Sequence, residues 1–288
     1  MVTLNNGILK IKISHLGAEL QSIYNQEAKV EYLWNADPAH WAKHSPVLFP
    51  IVGQLRDNSY QYKGKNYSSL RHGFARDMEF TIEHADDNSA IFLLSGNEDT
   101  LSAYPFIFRF RVHYTLNGNR LSVTYEVNND GNDTMYFSVG GHPAFAIPFA
   151  PHTQYTDYYL EFEKNETASR WPLQNGLILP EPEPLLNNEK IINLKHDLFY
   201  KDALVFKHLS SSFIALKGRG TSHSVTMFFG EFPFFGVWAA PDAPFVCLEP
   251  WHGLADSVYH NRDITTKEGI NILAAAEKWK ATWSIDCQ

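Results

Sequence analysis

Cysteine, long apolar runs and basic clusters are scarce in this 288-residue sequence, and each scarcity excludes a class of protein. Two cysteines, Cys247 and Cys287, are too few for a disulfide framework. No stretch is apolar enough for a membrane-spanning helix, and the N-terminal MVTLNNGILKIKI alternates where a signal peptide would have a continuous apolar core. Because 24 Lys and Arg stand against 32 Asp and Glu, nucleic acid is not expected as a partner. We expect a cytoplasmic protein with no membrane partner.

Helical periodicity is also scarce, whereas apolar and polar residues alternate with a period of two along most of the chain. This alternation is typical of strands with one buried face. It predicts strands over 8–13, 90–96, 106–116, 120–127, 135–140, 158–164, 203–208, 211–218, 223–230, 234–240 and 245–250. The pair Asn117-Gly118 lies between two of these segments and favours a tight hairpin turn.

The segments that do not alternate are few. Short helices are predicted over 100–105 and 265–269, and the run ILAAAEKWK is interpreted as a loop before a final strand. Residues 171–190 are rich in proline and asparagine, which predicts an irregular excursion. Regularly spaced strands without intervening helices predict one all-β domain over residues 1–288, built as a large antiparallel β-sandwich.

Two loop stretches combine glycine with charged side chains. In SPVLFPIVGQLRDNSY (45–60), Gly53 frees the backbone shortly before Arg56, which could serve a ligand or simply pair with Asp57. In LRHGFARDMEF (70–80), His72 precedes a glycine and has two arginines nearby; it could belong to a site or be satisfied locally by Asp77. Neither stretch decides between these alternatives by itself.

Two further stretches carry polar groups at the ends of predicted strands, where sites are often mounted. In GGHPAF (140–145), His142 stands between two glycines and a proline, which we interpret as backbone that clears space for the imidazole. In CLEPWHG (247–253), Glu249 ends a strongly apolar strand, and Trp251 follows. A lone buried carboxylate is costly, so Glu249 is either paired in the interior or used for chemistry.

Metal binding and nucleophilic catalysis both have weak support. His72, His142, His252 and Glu249 are suitable donors, but no close HxH or HExxH pair occurs, so we expect no metal. No GxSxG motif is present, and neither cysteine has a basic neighbour that would activate it. The abundance of aromatic residues suits sugar recognition, although most of these side chains belong to the core.

Taken together, these stretches resemble the aldose 1-epimerase (galactose mutarotase) superfamily, most closely its LacX-like branch. The resemblance runs through most of the chain and rests on motifs in the right order and spacing: LGAELQSI (16–23), SPVLFPIVGQLRDNSY, LRHGFARD, GGHPAF, KDALVF (201–206) and CLEPWHGLAD. It implies a galactose mutarotase-like β-supersandwich whose cleft interconverts the α- and β-anomers of free sugars without a cofactor.

The resemblance also implies roles for individual residues. Glu249 matches the general base and His142 the general acid, while His72 matches the second active-site histidine. Three further residues are expected to contact the sugar: Arg56, Asp202 and Trp251. An acid and a base acting together would remove the proton of the anomeric hydroxyl and deliver one to the ring oxygen. The expected protein is an isomerase acting on a small sugar.

Three alternatives stay open. A carbohydrate-binding or sensing protein would keep the fold without turnover, whereas the combination of Glu249 and His142 favours an enzyme. A hexose-6-phosphate mutarotase would need an extra basic pocket, for which Lys43, Arg71 and Arg76 are available. A glycoside hydrolase would use Glu249 with Asp202 or another acid, which the family resemblance disfavours.

Overall fold

The structure is a computed structural model that describes residues 1–288. Half of the residues lie in strands and 8% in helical turns, and all pairings between named strands are antiparallel. The predicted all-β class with large antiparallel sheets is therefore confirmed. No helix in the chain has the length and apolar character needed to cross a membrane.

The strands alternate with short loops from one end of the chain to the other. They are β1 (Val2–Asn5), β2 (Leu9–Ile13), β3 (Leu20–Asn25), β4 (Val30–Glu31), β5 (Val47–Leu48), β6 (Ser59–Tyr62), β7 (Lys65–Ser68), β8 (Thr81–Ala85), β9 (Ser89–Ser95), β10 (Phe108–Asn117), β11 (Arg120–Asn129), β12 (Met135–Phe137), β13 (Val139–Gly141), β14 (Ala144–Ala146), β15 (Tyr158–Arg170), β16 (Leu173–Gln174), β17 (Leu177–Ile178), β18 (Glu183–Asn193), β19 (Leu204–Phe206), β20 (Phe213–Gly218), β21 (Ser224–Phe228), β22 (Phe234–Trp238), β23 (Phe245–His252), β24 (Asn271–Leu273) and β25 (Lys278–Cys287).

Helical structure is confined to short connections. The single α-helix, α1, spans Glu98–Ala103 and begins with a capping box in which Asn97 and Thr100 satisfy each other's backbone N–H groups. Single 3₁₀ turns occur at Arg56–Asn58, Ala75–Asp77, Tyr155–Asp157, His196–Phe199 and Ile264–Thr266. The predicted helix over 100–105 therefore begins two residues earlier, and the one over 265–269 is a 3₁₀ turn.

Two large sheets enclose the main core. One has nine strands in the order β18-β15-β20-β21-β25-β11-β10-β9-β8, and the other has β19-β22-β23-β13-β5 with β14 also paired to β23. A cluster of 71 buried residues fills the space between them and extends under the smaller sheet β1–β4. Aromatic rings join the layers: Phe49 stacks on Phe110 with centroids 4.4 Å apart, and Phe229 lies 4.4 Å from Phe235.

The six-stranded sheet also buries side chains on its second face, the face directed away from the main core. On β19, Leu204 and Phe206 point into the main core, whereas Val205 points to the opposite face, as the strand period of two requires. On that opposite face Val205 and Trp251 belong to a separate cluster of eight buried residues. This smaller cluster borders the cavity described below, so the sheet separates the main core from the candidate site.

Each of the eleven predicted strands overlaps a strand of the structure, but the irregular excursion predicted over residues 171–190 is wrong. This segment forms the hairpin β16–β17 and the start of β18, which is the edge strand beside β15. The alternation is blurred because the β15–β18 pairing contains register shifts. Pro184 is tolerated within β18 because one side of an edge strand makes no ladder hydrogen bonds.

The glycines of GGHPAF make room for neighbouring aromatic rings. A Cβ added at Gly140 would lie 2.6 Å from Cδ1 of Trp251, and one at Gly141 would lie 2.9 Å from the Tyr125 hydroxyl. On the other side of Trp251, a Cβ at Gly236 would lie 2.4 Å from Cη2 of the indole. The indole of Trp251 is therefore clamped between β13 and β22, which carry the glycines Gly140 and Gly236 where the ring passes.

Replacing Gly236 tests this packing. Because the indole of Trp251 is only 6% exposed and is held on both sides, we expect Gly236→Ala to lower the free energy of unfolding by about 1–3 kcal/mol. Urea denaturation measures the change. Gly131→Ala is the matched control, since its new Cβ would come no closer than 3.4 Å to any neighbour. Equal stabilities of the two variants would contradict the clamp.

Candidate active site

The register of the central strands brings Glu249 and His142 together. On β23, Trp251 pairs with Gly140 of β13, and Cys247 pairs with Ala144 of β14. These two ladders share one register, so His142, in the gap between β13 and β14, lies directly opposite Glu249. Pro143 next to it has no N–H group, and its carbonyl accepts a bond from the Leu248 N–H. The sheet itself thus fixes the pair.

The two groups meet in a buried environment. Nε2 of His142 lies 3.2 Å from Oε2 of Glu249, and their side chains are 9% and 1% exposed. Eight buried side-chain N or O atoms lack a hydrogen-bond partner, and four belong to residues that line one cavity: Arg76, His142, Glu249 and Trp251. Buried polar atoms normally have partners, so this concentration points to a ligand with several hydrogen-bonding groups.

Burial sets the protonation of the pair. Removal from water raises the pKa of the Glu249 carboxyl well above its usual range, since the charged form is disfavoured. The same effect, increased by the charges of Arg71 and Arg76, lowers the pKa of His142 to about 3. Without a ligand, the pair therefore favours a protonated carboxyl and a neutral imidazole. This differs from the charged pair expected from the sequence only in the position of one proton.

His72 approaches His142 from a loop that crosses the 49–53 segment. Nδ1 of His72 accepts a bond of 3.1 Å from the Gly53 N–H, and the backbone N–H of His72 donates to the Gly53 carbonyl. The two imidazole centroids lie 5.6 Å apart. Nε2 of the same ring accepts from the Nε–H of Arg71 at 3.3 Å, and burial keeps the pKa of His72 well below its usual value. Asp77, the local partner considered from the sequence, binds Lys43 and Arg76 instead.

These groups share a cavity of about 290 Å³, near the lower end of the ~300–1,000 Å³ common for small-molecule sites. Aromatic rings form much of its wall: the Trp41 indole stacks on His142 at 4.9 Å, and Trp238 meets the same imidazole edge-on at 5.7 Å. The remaining lining comes from distant segments: Val52, Gly53, Arg71, His72, Arg76, Leu173, Gly176, Ile178, Ala203, Val205, Glu249, Trp251, Leu254 and Ala255.

Asp202 lies beside this cavity without belonging to its lining. It follows the 3₁₀ turn at 196–199 with a positive φ of 83°, and its Oδ1 accepts a bond from the Ala203 N–H. The same oxygen lies 4.0 Å from Nη2 of Arg71, which does line the cavity. Asp202 is therefore placed where it can act on the site through Arg71.

Arg56 requires a correction, because the structure places it outside the cavity lining. Its guanidinium donates to the His260 carbonyl and approaches Asp57 to 4.0 Å, the local pairing considered as the alternative. Its backbone N–H donates to Asp256, a buried carboxylate that also binds Lys267 at 2.7 Å. Arg56 thus supports the loop that begins at Gly53, and the arginines that line the cavity are Arg71 and Arg76.

Sequence reasoning missed several lining residues as site members. Trp41 and Trp238 look like ordinary core aromatics in the sequence, and Leu173, Gly176 and Ile178 fall in the segment interpreted as irregular. In the sequence, Arg71 and Arg76 indicate only a possible basic pocket. The available signal was their position on either side of His72 and Gly73.

One group of possible metal donors overlaps the pair. The donor atoms of His142, Cys247 and Glu249 lie within 4.8 Å of one another, and all three residues are buried. Burial raises the pKa of the Cys247 thiol well above its usual value, whereas metals bind the thiolate. His252, another donor considered from the sequence, points its Nε2 at the Glu231 carbonyl and packs between Phe232 and Trp279.

Comparison with known proteins identifies the class to which this fold and site belong. The family model described as aldose 1-epimerase matches residues 1–271, and the chain belongs to that family. Among curated relatives, the chromosomal LacX protein of Lactococcus lactis subsp. lactis is 34% identical over 294 aligned positions, which cover 99% of this chain and 98% of the relative. The predicted family is therefore confirmed.

Solved structures agree over the whole fold. A galactose mutarotase related enzyme from Lactobacillus acidophilus has a TM-score of 0.96 at 36% identity and covers 99% of this chain and 96% of its own. A galactose mutarotase-like protein from Lactobacillus casei has a TM-score of 0.90 at 31% identity, with complete coverage of both chains. The architecture described above is thus that of galactose mutarotase-like proteins.

The protonation of His142 is directly measurable. Because its pKa is lowered to about 3, we expect the imidazole to stay neutral from pH 8 down to about 4.5. Long-range ¹H–¹⁵N correlation spectra, assigned with His142→Asn, would report the ring nitrogens. Unfolded protein in urea is the control, since its histidines should titrate near ~6.5. A midpoint for His142 close to that of the unfolded chain would contradict the burial argument.

Proposed function

We propose that this protein is an aldose 1-epimerase that interconverts the α- and β-anomers of an aldose by opening and reclosing its ring. The observation that carries the proposal is the buried contact of 3.2 Å between His142 Nε2 and Glu249 Oε2 beside a cavity of about 290 Å³. Family membership supports the same reaction class.

The proton count of the pair suits this reaction. Ring opening removes one proton from the anomeric hydroxyl and adds one to the ring oxygen, so the site needs one group that carries a proton and one that does not. The neutral pair and the carboxylate–imidazolium pair contain the same number of protons, and a transfer between these atoms, 3.2 Å apart, would interconvert them once the side chains align for a hydrogen bond. The site can therefore return to its starting state after each cycle without exchanging protons with water.

The proposed steps assign Glu249 as the base and His142 as the acid. In the reactive form, the Glu249 carboxylate takes the proton of the anomeric hydroxyl, the C1 carbonyl forms, and the bond from C1 to the ring oxygen breaks. The His142 imidazolium gives its proton to the departing ring oxygen. Rotation about C1–C2 presents the other carbonyl face, and the same two groups act in reverse during closure.

Other cavity residues would hold the sugar. His72, whose ring is held by the Gly53 N–H at Nδ1 and by Arg71 Nε at Nε2, would position the sugar beside His142. The buried indole N–H of Trp251 lies near the Glu249 carboxyl without forming a well-aligned hydrogen bond, and it is available to a sugar oxygen. The faces of Trp41 and Trp238 offer apolar surface to the C–H groups of a pyranose. Asp202 would orient Arg71.

Glu249→Gln tests the assignment. The amide keeps nearly the same shape but cannot exchange a proton with His142, so we expect kcat to fall about 10²- to 10⁴-fold with little change in sugar affinity. His142→Asn should lose a similar factor. NMR exchange spectroscopy at anomeric equilibrium, across a panel of hexoses, measures the rate above the uncatalysed background.

The matched control is Glu181→Gln, which changes an exposed carboxylate outside the cavity lining. Melting curves verify that each variant is folded. A folded Glu249→Gln protein with near-normal turnover would show that another group is the base. Sugar binding by the unmodified protein without faster exchange for any sugar would instead identify a carbohydrate-binding protein without turnover.

The pH dependence follows from the directions of the two pKa shifts. The pair keeps its single proton between the lowered pKa of His142, about 3, and the raised pKa of Glu249. We therefore expect kcat/KM, corrected for background, to stay level as the pH falls from 7 to about 5. A free histidine acting alone would instead give a change near ~6.5. An acid limb with a midpoint near 6.5 would refute the shared-proton assignment.

A further inference from the structure

Two arginines contribute positive charge to the cavity wall. Arg71 and Arg76 both line it, and the only carboxyl in the lining is Glu249, whose raised pKa favours the uncharged form. A neutral hexose offers hydroxyl groups but no charge to balance two guanidinium groups. The cavity is therefore more cationic than a free sugar requires.

The hydrogen bonding of these arginines differs from that of others in the chain. Arg109 forms two bonds to Asp130, of 2.5 and 2.7 Å, and Arg120 forms two to Asp286, of 2.6 and 2.7 Å. By contrast, Nη2 of Arg71 stays 4.0 Å from Asp202, and its guanidinium donates a single bond, from Nε to Nε2 of His72 at 3.3 Å.

Arg76 likewise has a guanidinium donor without a hydrogen-bond partner. Its Nε lies 3.5 Å from Asp77, which is shared with Lys43, and this buried Nε has no hydrogen-bond partner. Three cations, Lys43, Arg71 and Arg76, thus face two carboxylates, Asp77 and Asp202. One positive charge remains unbalanced near the cavity, together with donors suited to an anion.

We propose that the substrate of this site is an aldose bearing an anionic group, a phosphoryl or a carboxylate, which Arg71 and Arg76 bind through charge-assisted hydrogen bonds. The inference rests on the proposed epimerase function and specifies its substrate class. Guanidinium groups suit this task because their planar N–H donors match the oxygens of both anions. The ring of the same substrate lies against His142 and Glu249, while the anion occupies the arginine side of the cavity.

The electrostatics of the site agree with this arrangement. The charges of Arg71 and Arg76 reach both imidazoles and contribute to the lowered pKa values of His72 and His142. A bound anion between the arginines would offset their charge. The anionic group would thereby favour the imidazolium form that donates the proton to the ring oxygen, so binding and chemistry are coupled.

The test compares sugars that differ only in the charged group. Anomer exchange is measured by NMR for glucose, glucose 6-phosphate and glucuronate, and for the corresponding galactose series. We expect kcat/KM to be about 10- to 100-fold higher for an anionic sugar than for its neutral parent, and the difference to shrink at high salt. The two anionic arms distinguish phosphoryl from carboxylate recognition.

Substitution of the arginines links the preference to the cavity. Arg76→Gln should reduce the ratio of anionic to neutral kcat/KM about tenfold, and Arg71→Gln provides a second test if the first variant fails to fold. The control is Arg219→Gln, which removes an exposed guanidinium bound to Asn193, outside the cavity lining, and should leave the ratio unchanged.

The outcomes separate this inference from the proposed function. Turnover of neutral sugars at least as fast as of anionic ones, with a ratio unaffected by Arg76→Gln, would overturn the inference and leave the epimerase proposal intact. If no sugar is turned over, calorimetric titration with the same compounds decides. Selective binding of an anionic sugar, lost in Arg76→Gln, would support the anion site and overturn the epimerase function. Absence of any selectivity would overturn both.

Discussion

The candidate site depends on the contact between Glu249 and His142 in a place that water hardly reaches. A single buried charge there would be costly, and a buried ion pair would recover that cost only with further hydrogen bonds. The pair avoids the penalty by favouring a protonated carboxyl and a neutral imidazole when no ligand is bound. Its reactivity then depends on what binds beside it, because a polar or charged substrate can stabilise the alternative position of the proton.

Sheet geometry supplies the accuracy that such a pair requires. Glu249 lies on the central strand β23, with Gly236 of β22 on one side and His142 opposite it on the other. A slip of one residue would turn Glu249 towards the main core and remove the pair. The indole of Trp251, clamped between Gly140 and Gly236, resists such a slip and also forms part of the cavity wall.

Loops that approach this rigid sheet closely complete the site. Gly73 has a φ of +70°, and a Cβ there would come within 2.3 Å of the Phe49 carbonyl, so only glycine lets the chain cross at this point. The crossing fixes His72 on the Gly53 backbone and brings Arg71 and Arg76 to the cavity. The proposed acid and base thus lie on the sheet, whereas the charge that would select the substrate lies on the loop.

The sequence alone was sufficient for the features that follow from local pattern. The period of two predicted most strands of both large sheets, and a carboxylate at the end of an apolar strand identified Glu249 as a residue needing a partner. The ordered motifs indicated the family. By contrast, Arg56 and Arg71 look alike in the sequence, since each lies near a glycine and an acidic residue within a conspicuous motif. Only the path of the chain directs Arg56 to the His260 carbonyl and Arg71 to the cavity.

Tertiary structure likewise decided the course of residues 171–190 and the partner of each buried group. An edge strand with register shifts has no clear alternation, so its place beside β15 depends on a neighbour distant in sequence. Side-chain chemistry and backbone periodicity are local properties and can be read from the chain. Pairing, burial and the pKa shifts that burial causes depend on residues as far as 256 positions apart, and only the folded molecule brings these into contact.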